Sequence, residues 1–184
     1  VRAECWGGFV FINLDPNAPP LLDYLDPLPK HVPSERFRDR YVAIHVQKEL
    51  NCNWKIASEA FLEAYHVMET HSQLTRASGD ANTQYDFYGD NVSRLINIAG
   101  IKGAFVEEEM TEQDILDCFL IGDRGDVGDK LMVPEGGTAR KVMAQYYRDM
   151  VAKQNGPDAS QISDSEIVDS IAYFVFPNQQ FFAG

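Results

Sequence analysis

The sequence predicts an α+β fold, and three observations predict it. Strand-like aromatic and β-branched runs open and close the chain, well-patterned helices lie between them, and no internal repeat or low-complexity tract interrupts the order. At 184 residues, with 45% hydrophobic and 24% charged side chains, the chain has the length and balance of a globular protein with a real core.

The elements follow in order. Residues 6–13 read as a buried strand, bounded by the turn signal Asp15-Pro16. Six prolines between Pro16 and Pro33 give the next stretch the composition of a connector, with room for one helical turn around Leu21–Leu25. From Tyr41 to Leu50, apolar Val42, Ile44 and Val46 alternate with polar positions, the pattern of a half-buried strand. The clearest helix runs from an Asn53 N-cap to about His66, with Trp54, Ala57, Phe61, Leu62 and Tyr65 at helical spacing and Trp54 as a core anchor. A polar loop and strands at 85–88 and 92–98 come next, then a helix at 111–120 capped by Thr111. Gly122–Gly137 holds five glycines and reads as an exposed loop. A second strong helix spans Ala139–Lys153, stopped by Asn155-Gly156-Pro157. A short helix within 163–170 and strands at 171–176 and 180–182 complete the chain.

Composition removes several function classes. The formal net charge of −12 is spread along the chain, which argues against a nucleic-acid surface, since that needs clustered Lys and Arg. No apolar run approaches the ~20 residues of a membrane span, and no signal peptide opens the sequence. Cys5, Cys52 and Cys118 are odd in number and widely spaced, so a disulfide scaffold, a zinc site or an iron–sulfur cluster built from this chain alone is not expected. A reducing cytoplasm is the simplest setting. The chain begins at Val1 and ends directly after a strand-like run, and it reads as a fragment of a longer protein.

Chemistry concentrates in one stretch. Two of the four histidines, His66 and His71, lie close together, with Glu63 three positions before the first. Imidazoles near a carboxylate are the raw material of a metal site. On an ideal helix the two histidines would diverge by roughly 140°, so both reach one ion only if the helix ends or bends between them. That separates the pattern from H-E-x-x-H zinc peptidases. A carboxylate-bridged di-iron bundle needs a second E-x-x-H, and the residues at that offset before His31 and His45 are Leu28 and Val42. What stays open is a purely structural histidine pair or the 2-His-1-carboxylate site of non-haem Fe(II) oxygenases.

The run Asn53-Trp54-Lys55-x-x-x-Glu59-x-Phe61-x-Glu63-x-Tyr65-His66-x-x-x-x-His71 resembles the signature of the α subunit of Rieske non-haem iron ring-hydroxylating oxygenases. Trp6 to Pro16 is similar to the stretch by which such proteins leave their Rieske domain, and Phe174-Val175-Phe176-Pro177-Asn178 resembles a strand of their catalytic domain. The resemblance implies a helix-grip (START-like) domain, a curved antiparallel sheet around a long helix. It divides the chain into the end of a Rieske domain (1–16), a connector (17–38) and an incomplete catalytic domain (39–184). It makes His66 and His71 ligands of a mononuclear Fe(II), with Glu63 orienting a ligand histidine and carrying electrons from a neighbouring subunit's Rieske [2Fe-2S] cluster.

The implied reaction is O2-dependent hydroxylation of an aromatic or other hydrophobic ring, fed by NAD(P)H through a reductase or ferredoxin. A homotrimer is implied, with or without β subunits. Val67, Met68, Leu74, Phe105, Leu116 and Phe119 are candidates to line the substrate cavity. The cluster's C-x-H and C-x-x-H pattern is absent from this chain, and no residue of it matches the third iron ligand; Asp80, Asp86, Asp90 and Asp114 are the carboxylates available in principle. The competing reading is a helix-grip module that binds a hydrophobic ligand and does no redox chemistry.

Overall fold

The computed structural model describes residues 1–32, 37, 40–122, 131–154, 156 and 158–183. Pro33, most of the glycine-rich loop, and Asn155 and Pro157 of the helix stop lie outside the described residues.

The first expected strand is two. β1 (Arg2–Trp6) and β2 (Phe9–Asn13) pair antiparallel as a hairpin, Trp6 facing Phe9. Gly7 and Gly8 make the turn at φ +58° and +85°, the two left-handed positions a tight two-residue hairpin requires. Reading 6–13 as one run hid that turn, and most of β2 is exposed. Asn17 N–H then donates to Asp15 Oδ1 at 2.8 Å, so the Asp-Pro signal does make a turn.

Two short helices follow, α1 (Leu21–Tyr24) and α2 (Leu28–His31). The proline-rich stretch is packed: Leu21, Leu25, Leu28 and Val32 are buried against Trp6, Tyr173, Val175 and Phe181. The Trp6 and Phe181 rings meet edge to face at 5.7 Å.

The main sheet holds four antiparallel strands in the order β3 (Gln84–Tyr88), β4 (Val92–Asn97), β5 (Ser170–Val175) and β6 (Gln179–Ala183). Two of these strands lie either side of a helical insertion. The expected strand at Tyr41–Leu50 is not among them. That segment has no regular secondary structure and no ladder partner among the described residues, and Tyr41, Val42, Ile44 and Val46 are each about four-fifths exposed. Alternation marks a surface fit for a sheet; it does not supply the neighbouring strand.

The predicted long helix at 53–66 is likewise shorter. α3 (Trp54–Glu59) is capped by the Asn53 side chain, as expected, but stops at Ala60. None of its residues is buried, and Trp54 is 54% exposed, so it is not a core anchor. After it come α4 (Val67–Thr70) and two 3-10 turns, Ser72–Leu74 and Asp80–Asn82.

The other helices match their sequence signals closely. α5 (Glu112–Gly122) starts with Thr111 and Asp114 exchanging side-chain and backbone hydrogen bonds. α6 (Ala139–Lys153) has Thr138 as N-cap, and α7 (Asp164–Val168) opens with a Ser163/Glu166 capping box. These three helices enclose a second core of Leu116, Leu120, Ala139, Met143, Ala144 and Val168.

Met143 is fully buried there. Met143→Ala is expected to cost about 2–5 kcal/mol, read as a lower urea midpoint at unchanged m-value. An unchanged midpoint would mean that α6 does not pack on this core.

An ionic knot ties α6 and the end of α7 to the segment after β4. Asp169, 5% exposed, follows α7 directly and accepts from the Ala99 N–H at 3.0 Å and the Ser165 hydroxyl at 2.6 Å. Its two oxygens also face the Arg140 guanidinium of α6, Nη2 to Oδ2 at 2.8 Å, and Arg140 donates again to the Ala99 carbonyl at 2.8 Å. Burial acts to raise the Asp169 pKa, but the bonds from Arg140, Ser165 and Ala99 outweigh it and hold the carboxyl below its ordinary value.

Candidate functional site

His66 and His71 come together across α4, which ends at Thr70 and so breaks the helix between them. His66 is the N-cap residue of α4 and His71 its C-cap, at φ −128° and ψ 42°. The two rings stand 5.5 Å apart between centroids, at 75° to each other. The break that the five-residue spacing demands is therefore present.

Local chemistry explains an earlier break, the end of α3 before His66. In a continuing helix the N–H groups of residues 64 and 66 would bond carbonyls four residues back. Instead the Ala64 N–H donates to the Tyr85 hydroxyl at 2.9 Å, and the His66 N–H donates to Glu63 Oε2 at 3.0 Å. Glu63 Oε1 faces His66 Nδ1 as a close ion pair or hydrogen bond. Glu63 thus holds both the backbone and the ring of His66, and leaves the Nε2 side of the imidazole to other partners. His66 is partly buried and His71 exposed.

The sheet anchors this segment at two points. Tyr85 does so from β3, and the Gln180 amide of β6 donates to the Ser58 carbonyl at 3.0 Å. Sequence reasoning missed both, because each partner is far away along the chain and neither residue carries a local pattern.

The other candidates are placed as follows. Val67 is buried, Met68 half-buried, and Leu74 42% exposed. None of these three lines either of the two principal clefts. Leu116 and Phe119 belong to the helical core, and Phe105 is exposed. One cleft, of about 300 Å³, lies between α3 and the sheet, walled by Trp54, Leu62, Phe87, Phe174 and Phe176 with Asp90 at its rim. Trp54 and Phe176 are 6.4 Å apart there.

Of the four carboxylates, Asp86 is taken by Arg94 at 2.6 Å and Asp114 by the cap of α5, while Asp80 is buried. Among the described residues, no group of three His, Cys, Asp or Glu side chains is arranged to hold a metal ion. The histidine pair with its supporting Glu63 fits the imidazole half of a mononuclear iron site; these residues offer no third ligand.

Residues 35–183 match the family described as ring hydroxylating alpha subunit (catalytic domain). The chain belongs to that family. The mixed α+β architecture with its antiparallel sheet is in keeping with this catalytic domain. The chain is similar to the oxygenase subunit of carnitine monooxygenase from Escherichia coli K12, 37% identical over 73 residues, or 39% of this chain and 20% of that protein. It is also similar to the oxygenase subunit of glycine betaine monooxygenase from Pseudomonas aeruginosa UCBPP-PA14, 28% identical over 76 residues, 41% of this chain and 18% of that protein. The chain therefore spans about a fifth of the length of these curated relatives. No solved structure matches it. Among the described residues, no helix is long and apolar enough to cross a membrane.

Proposed function

We propose that the chain is the iron-binding catalytic part of a Rieske-type oxygenase that hydroxylates a small organic substrate with O2. The observation that carries the reading is the pair of imidazoles, 5.5 Å apart, with Glu63 fastened to one of them. His66 and His71 would hold a mononuclear Fe(II), which supplies O2 activation when bound. Glu63, by accepting the Nδ1 proton of His66, would select the tautomer whose Nε2 lone pair is available to a metal. The third ligand, the Rieske cluster, the NAD(P)H-linked electron donor and a trimeric assembly belong to the same proposal.

The ring substrate expected from the family resemblance now has a competitor. Both named relatives act on compounds with a trimethylammonium group. Such a cation is recognised by aromatic faces and carboxylates, so the aromatic cleft beside α3 suits it as well as it suits an arene. We favour the quaternary ammonium compound.

The test is substrate-dependent O2 uptake by the intact oxygenase with its reductase, comparing carnitine, glycine betaine and a panel of arenes. Uptake with an arene alone overturns the substrate assignment; no stimulation by any of them counts against the oxygenase. Glu63→Ala is expected to lower iron affinity or turnover by about 10–100-fold, with Glu63→Asp recovering part of the loss. Equal activity in Glu63→Ala would remove its positioning role.

A further inference from the structure

Asp80 is the most conspicuous charged group that this reading leaves unused. It is 5% exposed, and among the described residues neither carboxylate oxygen has a hydrogen-bond partner. An ionised carboxylate in that position is costly unless something positive faces it.

Its surroundings are oxygen-rich. A Cβ at position 103 would lie 2.8 Å from Asp80 Oδ1, 2.8 Å from the Thr75 carbonyl oxygen and 3.3 Å from that of Ser78, so three oxygens converge beside Gly103. Each of the two carbonyls already accepts one backbone N–H, from Gly103 at 2.7 Å and from Asp80 at 3.0 Å, and each keeps a second lone pair. Among the described residues neither Arg76 nor Lys102 bonds this carboxylate, although Arg76 Nε is likewise buried without a hydrogen-bond partner. Arg76 Nη2 pairs with Glu108 at 3.1 Å, and Lys102 Nζ donates to the Glu108 carbonyl at 2.9 Å.

We infer that Asp80, with the carbonyl oxygens of Thr75 and Ser78, binds an alkali cation. Carboxylate and carbonyl oxygens are the ligands of hard cations, and one formal negative charge matches a monovalent ion better than a divalent one. Glycine at 103 lets the oxygens approach without a side chain in the way. The site lies between the 3-10 turn after His71 and the loop leaving β4, so the ion would brace the segment that follows the histidines.

The test uses the intact protein in KCl, NaCl and N-methylglucamine chloride at equal ionic strength. Hydrogen–deuterium exchange is followed in peptides covering 75–83 and 98–104. In 150 mM Na⁺ or K⁺, with a dissociation constant on the order of 15 mM, exchange there is expected to slow about tenfold relative to the organic cation. Asp80→Asn should abolish that difference.

Identical exchange of the wild type in all three salts overturns the proposal. So does equal loss of protection by Asp80→Asn in every salt, the result that an Arg76–Asp80 ion pair would give. Should Asp80→Asn fail to fold, the wild-type salt series decides alone.

Discussion

His66→Ala and His71→Ala, each made in the intact oxygenase, are expected to lower iron affinity by more than about 100-fold and to remove substrate hydroxylation. Loss of even a supporting residue of a metal site typically costs 10–100-fold, and these residues would be ligands. The fold should survive. His71 is exposed and His66 only partly buried, so each substitution should change stability by under about 1 kcal/mol. That contrast gives the experiment its force. Iron content by metal analysis should collapse while the circular dichroism and melting curve stay close to wild type. Full iron and full turnover in either variant would return the pair to an ordinary surface feature.

Asp169→Ala should give the largest loss of stability, about 3–5 kcal/mol, because it leaves the Arg140 guanidinium partly buried without its counter-ion and removes the acceptor of the Ala99 N–H. For a domain of this size that is a melting temperature lower by roughly 10 °C or more. The pH dependence has a definite sign. The folded-state pKa of Asp169 lies below its ordinary value, so the stabilisation is complete above about pH 4 and disappears as pH falls through the folded value. Wild type should therefore lose stability more steeply than Asp169→Asn on acidification below about pH 4. Parallel acid limbs would show that the carboxylate is not ionised in this knot.

What could be read from the sequence was what is local. Thr111, Thr138 and Ser163 each announce a helix by bonding a backbone N–H within three residues, and α5, α6 and α7 begin beside them. The histidine spacing likewise demanded a break that the chain contains. The early end of α3 was hidden, because the Tyr85 hydroxyl that takes the Ala64 N–H arrives from another strand. Ala60, Leu62 and Ala64 are good helix formers, and their propensity pointed the wrong way. Asp169 was hidden for the same reason: its partners Ala99 and Arg140 meet only when the fold has formed. The Gly7-Gly8 turn could have been found, since a glycine pair between two apolar runs is a hairpin signal.

The open stretch from Tyr41 to Leu50 has a practical side. Among the described residues it pairs with no strand and shows a row of bare apolar side chains, the ingredients by which one polypeptide recruits another into a growing sheet. The polypeptide produced by itself should stick to its own kind as concentration rises. Lysine at positions 42 and 44 would be the first remedy for anyone who needs it dispersed.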